Sequence, residues 1–159
     1  MSHPLSVGLG EVRLSRKGVE QLSVFGLGSC VAVFLYCPTC ETVGAAHVVL
    51  PKSPESYRGD GSEPGRYADQ AIPLLVDEMA RAGVPRCQLR AAIVGGAAVL
   101  GFTSAIGDQN IQAVREELGR ARIPIEQEDV GGSRGRTVVF DAAERRLDVR
   151  VLAAPHTKI

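Results

Sequence analysis

The stretch from Gly26 to Pro51 places the strongest constraint on the fold. Two runs rich in β-branched and apolar residues, at 31–35 and 43–50, flank a short segment that contains Pro38. Runs of this kind form strands, and a proline between them favours a turn, so the stretch predicts a β-hairpin. A glycine-rich turn, residues 26–29, comes directly before the first run. The hairpin therefore starts where the backbone can bend sharply.

The hairpin predicts that Cys30 and His47 are neighbours. If residues 37–40 form a four-residue type I turn, Cys30 lies directly opposite His47, with Cβ atoms about 4.5–5.5 Å apart. A thiol beside an imidazole is the arrangement of a cysteine nucleophile and its base. A shift of one residue in the pairing would send the two side chains to opposite faces. The alternatives are an inert buried cysteine and a hydrogen-bonded core histidine.

The glycine-rich turn predicts an oxyanion hole. Gly26 and Gly28 can adopt backbone angles closed to other residues, and N–H groups near Ser29 and Cys30 can then point at a developing negative oxygen. The alternative is a tight connection between two strands. The cysteine beside the turn favours the functional interpretation.

Cys37 and Cys40 form a CxxC motif between the two predicted strands. A zinc site needs a second pair of ligands at metal-binding spacing, and the sequence has none. A thioredoxin-like redox pair opens a helix after a strand, whereas this pair joins two strands. Ordinary turn residues are therefore the favoured interpretation, and no metal or cofactor is predicted.

The composition narrows the class of partner and the compartment. Eighteen basic residues balance eighteen acidic ones, so the net charge is zero and indicates neither nucleic-acid binding nor attraction to a membrane surface. No apolar run approaches the roughly 18 residues of a membrane span, and no basic-then-apolar signal segment is visible. The four cysteines lack the spacing of a disulfide framework. These features predict a cytoplasmic protein without membrane insertion.

The remaining pattern predicts an α+β fold. Apolar spacing predicts helices at 67–82 and 108–122, with Asp108 as the N-cap of the second. Further short strands are predicted on both sides of these helices, so the two helices would pack on a mixed or antiparallel sheet. The whole chain, 1–159, is predicted to be one domain with frayed ends at 1–5 and 155–159.

Two connecting segments are also predicted from composition. Residues 52–66 are rich in proline, serine, glycine and charge, which is typical of a surface loop. Residues 130–136 form a glycine-rich basic segment, and a hairpin turn with solvated arginines is the favoured interpretation. Residues 7–14 alternate imperfectly and predict one strand interrupted near its glycines.

Several of these motifs also occur together in one known family, in the same order. They are Gly-Leu-Gly-Ser-Cys-Val-Ala-Val at 26–33, Ala46-His47, Leu50-Pro51, Arg66-Tyr67-Ala68-Asp69, Gly95-Gly96-Ala97, Ile106-Gly107 with Asn110, Gly131-Gly132 and Gly135-Arg136. On these residues the chain resembles the CheD family of chemoreceptor glutamine deamidases, from about Val7 to Val151.

The resemblance implies an enzyme that hydrolyses glutamine side chains on methyl-accepting chemotaxis receptors. Cys30 would be the nucleophile and His47 the base, without a cofactor. The receptors are then the implied partners, together with a CheC-like phosphatase. The alternatives are a weak or inactive module that docks on these partners, and ester hydrolysis by the same two residues.

One position departs from the family pattern. The family has a catalytic threonine six residues before the cysteine, and this chain has Val24 there, with Ser23 beside it. Valine has no hydroxyl with which to orient an imidazole. Ser23 acting through a local bulge, a backbone carbonyl, or reduced activity are the three alternatives.

Overall fold

The structure, a computed structural model, describes residues 4–15, 21–57, 59, 61–99 and 104–153. The predicted frayed segment 155–159 lies outside these residues, whereas Leu5 belongs to a strand. The strands are β1 (Leu5–Ser6), β2 (Val12–Leu14), β3 (Gln21–Leu27), β4 (Val31–Tyr36), β5 (Gly44–Val48), β6 (Arg90–Gly95), β7 (Ile125–Val130), β8 (Arg136–Asp141) and β9 (Arg146–Val151). The two long helices are α1 (Ala68–Arg81) and α2 (Ser104–Arg120).

The strands form two mixed sheets. The four-stranded sheet has the order β1-β3-β8-β9, and the five-stranded sheet has the order β2-β5-β4-β6-β7. The β1/β3 and β6/β7 pairs are parallel and the other pairs are antiparallel. The predicted α+β class is therefore confirmed.

Alternate side chains of the five-stranded sheet enter two separate cores, as the period of a strand requires. Val33 and Leu35 pack with the buried stripes of α1 and α2, whereas Phe34 packs with Phe140 of the four-stranded sheet. The layers are therefore helices, five-stranded sheet and four-stranded sheet. Strands β4 and β6 have both faces covered, which explains their nearly continuous apolar sequences.

The two helices follow the predicted apolar stripes. The buried residues of α1 lie on one stripe at helical spacing, and they are Ala68, Ala71, Ile72, Leu75, Val76 and Met79. In α2, Val114 and Leu118 are buried, but the helix begins at Ser104. The prediction that Asp108 is the N-cap is therefore wrong, since Asp108 lies one turn inside the helix.

The predicted hairpin forms as β4 and β5, but its register differs by two residues. Ala32, not Cys30, pairs with His47, and Val31 pairs with Val48. The connection between the strands runs over 37–43 rather than 37–40. Because a shift of two residues conserves the face of each side chain, Cys30 and His47 become diagonal neighbours on one face instead of a direct pair.

The connection is held by a disulfide and by a distant arginine. Residues 37–40 form the predicted turn, in which Cys40 N–H donates to the Cys37 carbonyl, but Cys37 and Cys40 are also joined by a disulfide, which was not predicted. Arg145, in the β8–β9 turn, donates from Nε to the Cys37 carbonyl at 2.8 Å and from a terminal nitrogen to the Cys40 carbonyl at 2.6 Å. Two long-range hydrogen bonds thus hold a loop that is longer than the predicted four-residue turn.

Two further predictions of chain path are wrong. Residues 7–14 do not form one interrupted strand, because β1 and β2 belong to different sheets and the chain crosses between them at Gly8–Gly10. Residues 130–136 do not close a hairpin, because β7 and β8 also belong to different sheets. Both glycine-rich segments therefore carry the chain from one layer to another.

Candidate active site

Cys30 and His47 lie on the face of the five-stranded sheet that packs against the four-stranded sheet. His47 pairs with Ala32 on the face that meets the four-stranded sheet, and Cys30 packs against the same apolar cluster. Diagonal neighbours on adjacent antiparallel strands have Cβ atoms about 7–8 Å apart or slightly less. Cys30 is half-buried and His47 is 4% exposed, so the thiol is the more accessible of the two groups.

A backbone carbonyl orients the imidazole of His47. Its Nδ1 lies 3.1 Å from the carbonyl oxygen of Val7. Because a carbonyl only accepts, Nδ1 carries the proton and Nε2 keeps its lone pair. Nε2 is buried and has no hydrogen-bond partner among the described residues. The ring is thus held in the tautomer that a general base requires.

Burial keeps this imidazole neutral. Loss of hydration lowers the pKa of His47 below its usual value of 6.5, and the Val7 carbonyl and the nearby Glu11 oppose that shift only partly. A neutral imidazole with a free Nε2 accepts a proton readily at neutral pH.

The Ser23 hydroxyl makes no hydrogen bond to His47 in the structure. The backbone carbonyl of Ser23 accepts a 2.9 Å hydrogen bond from Val7 N–H, but the buried Oγ has no partner among the described residues. Val24 enters the core between the sheets, so its neighbour Ser23 points to the other face of β3. Ser23 therefore contributes through its main chain, by holding the Val7 peptide that holds His47.

The turn before Cys30 is anchored through three consecutive carbonyls. The carbonyl of Gly28 accepts a 2.8 Å hydrogen bond from Ala97 N–H. The carbonyl of Ser29 accepts one of 2.9 Å from Asn110 Nδ2, and the carbonyl of Cys30 accepts one of 2.8 Å from Gly96 N–H. In the part of the chain that the structure describes, the N–H groups of Ser29 and Cys30 donate to no other backbone carbonyl. The carbonyls of the turn are thus fixed by hydrogen bonds, and the two N–H groups have no backbone acceptor among the described residues.

The electrostatic surroundings of Cys30 favour the neutral thiol. Burial raises its pKa above the usual value of 9.0, and this effect exceeds the opposing ones. The positive charge of Arg66 and the residue's own backbone N–H lower the pKa. The two shifts therefore both favour the uncharged forms, a thiol and a neutral imidazole.

Glycines allow the backbone to pack closely around the turn. Gly95 has a φ of +118°, and a Cβ there would lie 2.2 Å from the carbonyl oxygen of Cys30. A Cβ on Gly96 would lie 2.4 Å from Ile111 of α2. No larger residue fits either position without movement of its neighbours.

Arg136 holds the backbone of this glycine segment by hydrogen bonds. It is 7% exposed, and its terminal nitrogens donate to the carbonyls of Gly95 at 3.1 Å and Gly131 at 2.6 Å. Its Nε lies 3.2 Å from a carboxylate oxygen of Asp129. The prediction of solvated arginines in this segment is wrong for Arg136, which is a buried part of the site.

This arrangement suits attack by sulfur on an acyl carbon. It provides a half-exposed thiol, a neutral base on the same face, and two N–H groups beside the sulfur. Among the described residues, no group of three or more His, Cys, Asp or Glu side chains is placed to hold a metal ion.

Comparison with known proteins identifies the family. Residues 49–151 match the family model described as "CheD chemotactic sensory transduction". A protein of Desulfitobacterium hafniense named "Probable chemoreceptor glutamine deamidase CheD" is 38% identical over 157 residues, covering 96% of each chain. The chain belongs to the CheD family. The match to the family model begins two residues after His47, so Cys30 and His47 precede it.

Other relatives named CheD are similar to this chain over nearly its whole length. The "Chemoreceptor glutamine deamidase CheD" of Halalkalibacterium halodurans is 39% identical over 157 residues, again covering 96% of both chains. That of Bacillus velezensis is 34% identical over 160 residues. Among solved structures, Bacillus licheniformis YfiH aligns with a TM-score of 0.40 at 17% identity, covering 73% of this chain and 51% of its own.

No helix within the described ranges of this CheD chain is long and apolar enough to span a membrane.

Val7 and Arg66 also contribute to the site, and the residue pattern predicts a role for neither. Val7 acts through its carbonyl, and a main-chain oxygen leaves no mark on a sequence. Arg66 belongs to a motif that the chain shares with the family, and its charge lowers the pKa of Cys30. The carbonyl of Arg66 also accepts the N–H groups of Val49 and Leu50, which places its backbone beside the end of β5.

Proposed function

We propose that this CheD chain hydrolyses glutamine side chains on chemoreceptors to glutamate, with Cys30 as nucleophile and His47 as base. The relatives' names supply the reaction and the substrate class. The observation that carries the assignment of roles is the Nδ1 hydrogen bond to Val7, because it leaves Nε2 of His47 as a free base on the same face as Cys30.

In the first half-reaction, His47 Nε2 takes the thiol proton as Cys30 Sγ attacks the amide carbon of the substrate. The carbonyl oxygen becomes negative and receives the N–H groups of Ser29 and Cys30, each contributing about 2.7–4 kcal/mol in comparable sites. His47, now positive, returns its proton to the leaving nitrogen, and ammonia departs. A thioester remains on Cys30.

In the second half-reaction, water attacks the thioester carbon. His47 Nε2 accepts a proton from the water, and the same two N–H groups stabilise the second tetrahedral intermediate. The intermediate collapses to release glutamate, and the sulfur recovers its proton from His47. The free thiol and neutral imidazole are restored.

The two side chains do not form a hydrogen bond in the structure without substrate, since Nε2 has no partner. Catalytic hydrogen bonds in such structures are often long, and they shorten when the substrate binds. Cys30 follows directly from the turn that carries the N–H groups. A substrate oxygen on those groups therefore places the amide carbon beside the sulfur.

Three variants test the assignment. Cys30→Ala should abolish ammonia release from receptor peptides that carry glutamine at the methylation sites. His47→Ala should lower the rate by about 100-fold or more, as expected for loss of a general base. Cys87→Ala is the matched control, because Cys87 is an exposed free cysteine and should keep full activity. Undiminished activity in a folded Cys30→Ala protein would overturn the proposal.

The second candidate function is a docking module without activity. The raised pKa of Cys30 favours it, because a thiol that stays protonated is a weak nucleophile unless a base acts on it. In this case the chain would bind receptors or a CheC-like phosphatase through the same surface. Trapping of a thioester on Cys30 with a receptor peptide would exclude it.

A cytoplasmic location and a single domain over 1–159 are parts of the proposal. The mechanism requires Cys30 to be a reduced thiol, and Cys30 is a free cysteine in the structure. The proposal includes no metal or cofactor, since the sulfur, the imidazole and main-chain N–H groups supply each step.

A further inference from the structure

Asn110 of α2 connects the two segments that carry the proposed nucleophile and base. Its Nδ2 donates to the Ser29 carbonyl at 2.9 Å and to the Val49 carbonyl at 2.9 Å. Ser29 directly precedes Cys30, and Val49 lies two residues after His47. One amide group thus joins the turn of the thiol to the end of β5 beyond the imidazole.

The orientation of this amide is fixed by its partners. Both contacts are carbonyl oxygens, which only accept, so the nitrogen and not the oxygen of the side chain must face them. Asn110 is fully buried, and its Oδ1 has no partner among the described residues. Both N–H bonds of one group are therefore used on the two site segments.

The helix is seated so that Asn110 reaches this position. Gly107, one turn earlier, lies against the carbonyls of Gly96 and Ala97, since a Cβ on Gly107 would be 2.5 Å from the Gly96 oxygen. Ile111 contacts Gly96 from the next position of α2. The start of α2 is thereby fixed on the glycine loop that also anchors the thiol turn.

The bond to Ser29 also acts on the peptide that precedes the sulfur. The carbonyl of Ser29 and the N–H of Cys30 belong to one peptide group, and a hydrogen bond to the oxygen makes the N–H a stronger donor. This N–H interacts with Sγ of Cys30 and is one of the two offered to an oxyanion. Asn110 therefore affects both the position of the Cys30 sulfur and the stabilisation of its negative charge.

We propose that Asn110 is a positioning residue that holds the Ser29–Cys30 turn in register with the strand that carries His47. This inference rests on the proposed roles of Cys30 and His47. A simpler role, in which Asn110 only satisfies two buried carbonyls for the stability of the fold, predicts different results in the experiment below.

The experiment uses Asn110→Leu, which nearly conserves volume and removes both donors, and Asn110→Ala as a smaller second variant. Gln109→Leu is the matched control, because Gln109 is the exposed neighbour of Asn110 in α2. The first measurement is the rate of alkylation of Cys30 by iodoacetamide against pH, followed on the Cys30 peptide by mass spectrometry. The second is kcat and KM for ammonia release from a glutamine-containing receptor peptide.

In both Asn110 variants we expect the alkylation profile of Cys30 to move to higher pH, because its N–H stabilises the thiolate less. We also expect kcat to fall by about 10- to 100-fold with KM changed less than about threefold, the effect of a small displacement of reacting groups. The Gln109→Leu protein should match the parent in both measurements.

Folded Asn110 variants with an unchanged alkylation profile and unchanged kcat would overturn the inference. Failure of both variants to fold would also overturn it, since Asn110 would then serve the fold as a whole. The alkylation measurement does not depend on deamidation. If Cys30→Ala kept its activity and the proposed function failed, the pH profile would therefore still report on Asn110.

Discussion

Substitution of Gly95 by alanine tests how closely the backbone must pack behind the sulfur. The new methyl group would lie 2.2 Å from the Cys30 carbonyl oxygen, an atom fixed by the 2.8 Å hydrogen bond from Gly96 N–H. The change has two costs. A left-handed backbone at a residue other than glycine costs about 1–2 kcal/mol, and overpacking against a rigid neighbour costs about 1–3 kcal/mol.

Gly83→Ala separates these two costs. Gly83 has a φ of +90°, but nothing lies within 4 Å of a Cβ built there, so alanine meets the backbone cost without the clash. We expect a loss of unfolding free energy of about 2–5 kcal/mol for Gly95→Ala and about 1–2 kcal/mol for Gly83→Ala. The gain from a less flexible unfolded chain is the same for both and cancels in the comparison.

Urea unfolding of both variants, followed by circular dichroism, measures the difference at an unchanged m-value. In thermal unfolding, each kcal/mol corresponds to about 2–4 °C for a chain of this size. Ammonia release should fall in Gly95→Ala and not in Gly83→Ala, because only Gly95 touches the peptide of Cys30. Equal stability and equal activity of the two variants would refute the claim that Gly95 is required by close packing.

Three other predictions follow from individual positions. Val24→Thr should change turnover by less than about threefold, because the Val7 carbonyl already orients His47. The buried hydroxyl of the new threonine should lower the free energy of unfolding in urea by about 1–3 kcal/mol. A tenfold rise in turnover would contradict this prediction. The pH dependence of kcat/KM should rise through the pKa of His47, which burial places below 6.5, and stay level across neutral pH because the neutral imidazole is the active form; an acid limb above pH 7 would contradict it. Gly119→Ala should raise the free energy of unfolding by at most about 0.5–1 kcal/mol, because Gly119 lies in the last turn of α2 with open space around it. The thermal midpoint checks this.

Much of the fold could be predicted because apolar residues recur at regular helix or strand spacing. The stripe of α1 from Ala68 to Met79 is buried as its spacing predicts, and β6 is an apolar strand covered on both sides. The apolar runs of β4 and β5 likewise gave the correct pairing of the two strands. Local patterns determine which segments become helices and strands and which faces they bury.

The register and the layer assignments could not be predicted, because distant residues decide them. Arg145 holds the carbonyls of Cys37 and Cys40 from more than a hundred positions away, in a loop longer than the predicted turn, and His47 pairs with Ala32 instead of Cys30. Likewise, nothing local distinguishes a glycine-rich hairpin from the crossing between sheets at 130–136. The glycines indicate that the chain changes direction, but not which sheet the next strand joins.

The candidate site was predicted in part for a similar reason. Cys30 and His47 share a face, as predicted, because a two-residue error in register conserves the face. The partner of His47 was among the alternatives but could not be chosen, since the choice depends on how β1 packs beside β3.

The use of a main-chain oxygen to align the imidazole has a genetic consequence. Every amino acid has the same carbonyl, so mutation at position 7 changes the surrounding packing without deleting the acceptor. A hydroxyl acceptor, by contrast, is lost in a single codon change. The arrangement depends instead on the path of the amino-terminal segment. Cleavage of the chain just beyond Val7 would remove the carbonyl acceptor, which no point mutation at position 7 can delete.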